Sequence, residues 1–198
     1  MHNAAPPAQI EVEAEMHDYY AGEARSAYVI LGLGAASIAG GAALVTRDDD
    51  FARGFGWPLL VLGALESVGA AFYAFQVHGE IRHYEAAFAA NPAGFRDEEI
   101  THMRGTTSRF VKYQATELGL FLGGAAVATY GYAANQNTWK GAGLAIATVA
   151  FPFLLIDEMN GDRAKEYLDT VERFDPHASR TFVPFAQTPW MFSVGAAF

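Results

Sequence analysis

Four stretches almost free of charge constrain this chain more than any other feature: Ala27 to Val45, Trp57 to Val77, Val111 to Ala134 and Trp139 to Ile156. At a rise of 1.5 Å per residue, each reaches across or nearly across a hydrocarbon layer roughly 30 Å thick. A helix in a soluble core would show a polar stripe every third or fourth residue, and these stretches stay apolar all round. In lipid, every backbone N–H and C=O must be satisfied within its own segment, which selects helices. The expected fold class is therefore all-α: a polytopic membrane protein with four transmembrane helices in two tandem hairpins.

Composition agrees, with 52% hydrophobic and 18% charged residues in 198 positions. The absence of Cys removes disulfide frameworks and thiolate metal sites. A net charge of −9 without clustered Lys and Arg excludes a nucleic-acid partner. The partners expected are instead the lipid bilayer and other copies of the chain or subunits of a larger membrane complex.

The placement of cations predicts direction. Ten of the 13 Lys and Arg fall on the side of the N-terminus if that side is cytoplasmic, and only Arg47, Arg53 and Lys140 on the other. Both termini are thus expected in the cytoplasm of a bacterial cell, with the protein in the inner membrane. Trp57 and Trp139, each opening a span at the outer face, suit an aromatic belt. The opening MHNAAPPAQI has no basic n-region, so the first span is expected to direct insertion itself.

Four regions follow from this reading. Residues 1–24 form an acidic cytoplasmic segment whose Glu11, Glu13, Glu15, Asp18 and Glu23 are expected on a solvated helix face. Residues 25–92 are a first hairpin with a helical extension that Asn91-Pro92 ends, and 93–176 a second hairpin ending at Asp175-Pro176. Helices two and four should run on into the cytoplasm. The halves share landmarks roughly 82 to 87 residues apart, ILGLGAAS against ELGLFLGG and a Trp after each outer turn, as a parallel 2+2 repeat would.

Residues 177–198 form a tail in which Pro184 and Pro189 forbid a continuous helix. Phe185, Trp190, Phe192 and Phe198 make it aromatic, and its last residues alternate with a period of two. That ending resembles the closing strand of bacterial outer-membrane barrels, which would imply outer-membrane association. The rest of the chain has no barrel strands, so the tail is expected to dock on the membrane surface or on a neighbouring subunit.

Candidate functional residues are few. Glu66 and Glu117 each stand alone near the middle of an apolar span, where an ionised carboxylate costs several kcal/mol, and no span offers a Lys or Arg at that depth. They should be neutral and hydrogen-bonded, to each other or to groups such as Tyr73 and Gln114, or else face a wet cavity or a cation. Gly32, Gly34, Gly40 and Gly41 in the first span and Gly119, Gly123, Gly124 and Gly131 in the third offer packing surfaces, within one chain or between chains. Two ExxH strings, Glu80 to His83 and Glu99 to His102, place each pair on one helix face, as di-iron bundles do. Asp157 and Glu158 should meet water at the inner face.

The expected function is that of a non-enzymatic structural or accessory membrane protein that self-associates or joins a larger complex, with no cofactor. Two alternatives stand beside it: a small proton- or cation-coupled transporter or channel using Glu66 and Glu117, and a membrane di-iron enzyme.

Overall fold

The computed structural model describes residues 9–177, which form four antiparallel helices and no strand: α1 (Gln9–Val45), α2 (Asp50–Ala90), α3 (Pro92–Ala133) and α4 (Asn137–Arg173). The tail with Phe185, Trp190, Phe192 and Phe198 lies outside the described residues. The helix boundaries follow local chemistry. Asp49 caps α2 by accepting from the Ala52 N–H at 2.7 Å. Asn91 closes α2 and caps α3, accepting from the Gly94 N–H at 3.2 Å, with Pro92 in the first turn where it costs no hydrogen bond. Between α3 and α4, Asn135 takes the left-handed conformation (φ 53°) that asparagine tolerates.

α1, α2 and α4 are long and apolar enough to cross a membrane. α3 falls short because Glu117, its glycines and the pair Tyr130 and Tyr132 dilute its apolar stretch. Large apolar side chains nonetheless point outward on all four helices, among them Leu33, Leu65, Phe72, Leu122 and Leu155.

α1 packs along α2 and α3 along α4; the two hairpins meet mainly through α2 and α4, while α2 and α3 touch lightly. Two kinds of packing divide the bundle. The basal half, at the end of the α2–α3 turn, holds the apolar core: Val12, Met16, Tyr19 and Tyr20 of α1, Val77, Tyr84 and Phe88 of α2, Phe95, Met103 and Phe110 of α3, and Ala164, Tyr167 and Val171 of α4. α2 and α4 extend as expected, and α1 and α3 extend with them. The N-terminal segment is therefore only partly a solvated face: Glu11, Glu13 and Asp18 are exposed, but Glu23 is buried.

The apical half is held by close backbone approach. A methyl group on Gly41 would stand 2.8 Å from the Gly56 carbonyl oxygen, and one on Gly143 2.7 Å from Ala128 Cα. Gly54 and Gly141 bring α2 and α4 together in the same way. Gly32, Gly40, Gly119 and Gly123 do not take part, since a methyl on any of them would meet nothing within 4 Å. The close approaches in α1 and α3 are made by Gly34, Gly41, Gly124 and Gly131. One spacing relates the halves. Gly54, Gly56, Gly63, Ala70, Ala74, Val77 and Tyr84 fall 87 residues before Gly141, Gly143, Ala150, Asp157, Gly161, Ala164 and Val171, all buried. Val12, Met16, Tyr19, Glu23 and Gly41 stand in the same relation to Glu99, Met103, Thr106, Phe110 and Ala128.

Candidate functional site

Glu66 lies 16 residues below the start of α2 and Glu117 16 residues below the end of α3, so antiparallel pairing puts both about 24 Å from the apical end. They line one half-open cavity of about 230 Å³. Leu62 and Glu66 of α2 form one wall and Tyr113, Thr116, Glu117 and Leu120 of α3 the other, with Ile146, Val149, Ala150 and Phe153 of α4 behind. The opening exists because α2 and α3 barely pack against each other. Glu66 Oε2 and Glu117 Oε2 are buried without a hydrogen-bond partner among the described residues.

Asp157 joins this pair. It is 9% exposed, and its carboxyl lies against that of Glu117 rather than in water, contrary to the sequence expectation. Gln114 reaches the Asp157 backbone carbonyl at 3.3 Å. Three carboxyls from three helices thus share one locality, with no Lys or Arg lining it among the described residues.

Tyr73 does not serve Glu66 or Glu117. Its hydroxyl donates to Glu23 of α1, about two turns below Glu66. Burial raises the affinity of Glu23 for a proton, opposed by Tyr73 and by the nearby Arg163 guanidinium. Arg163 donates to Ser26 at 3.0 Å and to Asn160, and Ser26 donates to Asn160 at 2.8 Å. Gly22 makes room for this guanidinium: a side chain there would meet it.

Deeper in the basal half, Glu99 is fully buried. Tyr20 donates to its Oε1 at 3.1 Å. The Tyr167 hydroxyl sits near enough to favour its charge, yet off the geometry of a full hydrogen bond, so Glu99 Oε2 and Tyr167 Oη both lack a partner among the described residues. Burial pushes the Glu99 carboxyl up to about 7, against the opposing pull of Tyr167 and Tyr20.

The remaining ExxH residues diverge. Glu80 accepts from Gln76 at 2.8 Å, His83 pairs with Glu98 at 2.9 Å on the surface, and His102 lies against the Tyr84 ring, where burial lowers its affinity for a proton. Among the described residues no group of three or more His, Asp or Glu is arranged to hold a metal ion.

Sequence reasoning missed Asp157, Glu23 and the tyrosines around Glu99. A signal existed for the last: Val12, Met16, Tyr19 or Tyr20, and Glu23 recur at helical spacing, an apolar stripe inside a segment whose acidic content drew the eye. Comparison with protein-family models, with curated proteins and with solved structures returned no match, which leaves the chemistry of the site to be read from its geometry.

Proposed function

We propose that this protein is a four-span, non-enzymatic inner-membrane protein that moves protons or small cations through the carboxyl cluster of Glu66, Glu117 and Asp157. The observation that carries the reading is the cavity itself, lined by the carboxyls of Glu66 and Glu117 with no cationic side chain among its lining, and with the Asp157 carboxyl lying against that of Glu117. Such groups are costly in lipid and stand where ions pass. Counting α3 as the fourth span is supported by its pairing with α4 along the apical half and by its outward Leu118, Leu120 and Leu122. The cation bias of the sequence supports a cytoplasmic position for both termini.

The uniform spacing of 87 supports two parallel repeats about an axis between α2 and α4, where Gly54 and Gly141 face each other. The repeat is broken at the carboxyls. The counterpart of Glu117 is Ile30 and that of Glu66 is Phe153, so neither carboxyl recurs at the matching position of the other half.

The test is flux. In proteoliposomes enclosing a pH-sensitive dye, the wild-type chain should dissipate an imposed pH gradient, and Glu66→Gln/Glu117→Gln should fall to the rate of protein-free liposomes. Full flux in that variant would refute the reading.

A second reading, self-association as a scaffold, is favoured by the outward Gly119 and Gly123, one helical turn apart with open space before both. Gly119→Leu/Gly123→Leu should then lower the particle mass in native mass spectrometry without changing the melting temperature; an unchanged mass removes this role for the pair.

A further inference from the structure

The cavity at Glu66 and Glu117 is acidic at two points and mostly apolar elsewhere, with Tyr113 and Thr116 adding a hydroxyl each to its lining. Leu62, Leu120, Ile146, Val149 and Phe153 supply most of its wall. A hydrated metal ion gains nothing from such a surface, because shedding its water requires several oxygen ligands and the walls offer hydrocarbon. A neutral apolar molecule gains the walls but leaves the carboxyls unused. Only a ligand with both characters uses the whole cavity.

We propose that this cavity binds a lipophilic organic cation, an ammonium group carried on an apolar body, in exchange for a proton. The inference rests on the reading of Glu66 and Glu117 as an ion site and names the class of ion. The ammonium faces Glu66 of α2 and Glu117 of α3, whose Oε2 atoms lack hydrogen-bond partners among the described residues, with the Asp157 carboxyl of α4 beside that of Glu117. The aromatic rings of Tyr113 and Phe153 line the same space and attract a cation by their faces. The apolar body lies against Leu62, Leu120, Ile146 and Val149. Entry is sideways, between α2 and α3, from the layer in which such a molecule already dissolves.

Charge balance sets the exchange. Without a cation, a carboxyl at this depth is neutral, because an isolated charge there is too costly. When a monovalent ammonium enters, one carboxyl gives up its proton, the O–H bond breaks, and the proton leaves to solvent. The site stays electrically unchanged: one positive charge in, one out.

Benzyltrimethylammonium is a suitable probe, with its uncharged carbon isostere neopentylbenzene and with sodium chloride as controls. Calorimetric titration of the full chain in nanodiscs, in two buffers of different ionisation enthalpy, reads affinity and proton release together. The ammonium should bind saturably with about one proton released, and Glu66→Gln/Glu117→Gln should weaken it at least about tenfold, one decade per 1.4 kcal/mol. Leu62→Trp, which fills the cavity and keeps both carboxyls, should also abolish binding while the melting temperature holds. Equal affinity for neopentylbenzene, undiminished binding by the double variant, or proton release by sodium in place of the ammonium would each overturn the proposal. Absence of ammonium binding in a protein that still dissipates a pH gradient overturns the ligand class alone; absence of both overturns the ion site as well.

Discussion

Leucine at position 143 will drive α3 and α4 apart and collapse the apical half of the bundle. A single methyl there would already stand 2.5 Å from the Gly124 carbonyl oxygen and 2.7 Å from Ala128 Cα. These are backbone atoms of a helix, so no rotamer change relieves the clash and the helices must separate. Separation forfeits the dispersion contacts that hold helices together where lipid competes for apolar surface. Glycine in a helix costs about 1 kcal/mol relative to a good helix former, so leucine would otherwise be stabilising. The overpacking penalty, at least about 3 kcal/mol when backbone must move, outweighs that gain. Gly56→Leu should behave alike, because Gly56 meets Gly41 as Gly143 meets Ala128. Gly32→Leu is the control, with open space before it. Thermal unfolding in detergent followed by tryptophan fluorescence suits the test, since Trp57 and Trp139 sit near the apical ends of α2 and α4. A melting temperature unchanged by Gly143→Leu would show that the helices are not in contact there.

Glu99→Gln will stabilise the protein at pH 8 and do nothing at pH 4. Burial raises the Glu99 carboxyl from 4.5 to about 7, so the folded chain holds that proton more tightly than the unfolded chain. Below the unfolded value both states are protonated and there is no penalty. As pH rises toward 7 the unfolded state ionises first and gains, and above about 7 the folded state carries the full cost. At 1.4 kcal/mol per pH unit the difference is about 3 kcal/mol. Glutamine is neutral at every pH and keeps an oxygen for the Tyr20 hydroxyl. Melting temperatures of the two proteins should therefore coincide near pH 4 and diverge through pH 5 to 7. A constant offset across that range would mean Glu99 does not titrate in the folded protein.

How far the molecule was legible in its sequence differs between elements. The ends of α2 and α4 at Asn91-Pro92 and near Asp175-Pro176 could be read because proline restricts the residue before it. Glu66 and Glu117 could be singled out because a lone carboxyl in an apolar run is unusual wherever it points. Their common cavity could not, since it depends on α2 and α3 failing to pack tightly. Asp157 shows the same gap in the other direction. At the edge of a span it looked solvated, and only the neighbouring helices bury it. The glycines split for a geometric reason: Gly40 and Gly41 are adjacent in the chain but a hundred degrees apart around the helix, so one meets α2 and the other meets nothing.

The sequence by itself determined the helical class, the apolar stretches and the turns between helices, because these depend on local composition and period. The tertiary structure decided which glycines touch, which acids are buried, and that the apolar core lies in the basal half, with Tyr20 closing on Glu99 across 79 residues of chain. Those outcomes depend on the rotation of each helix about its axis and on which helices become neighbours. Both are settled by the packing of the whole bundle, where no single segment carries the information.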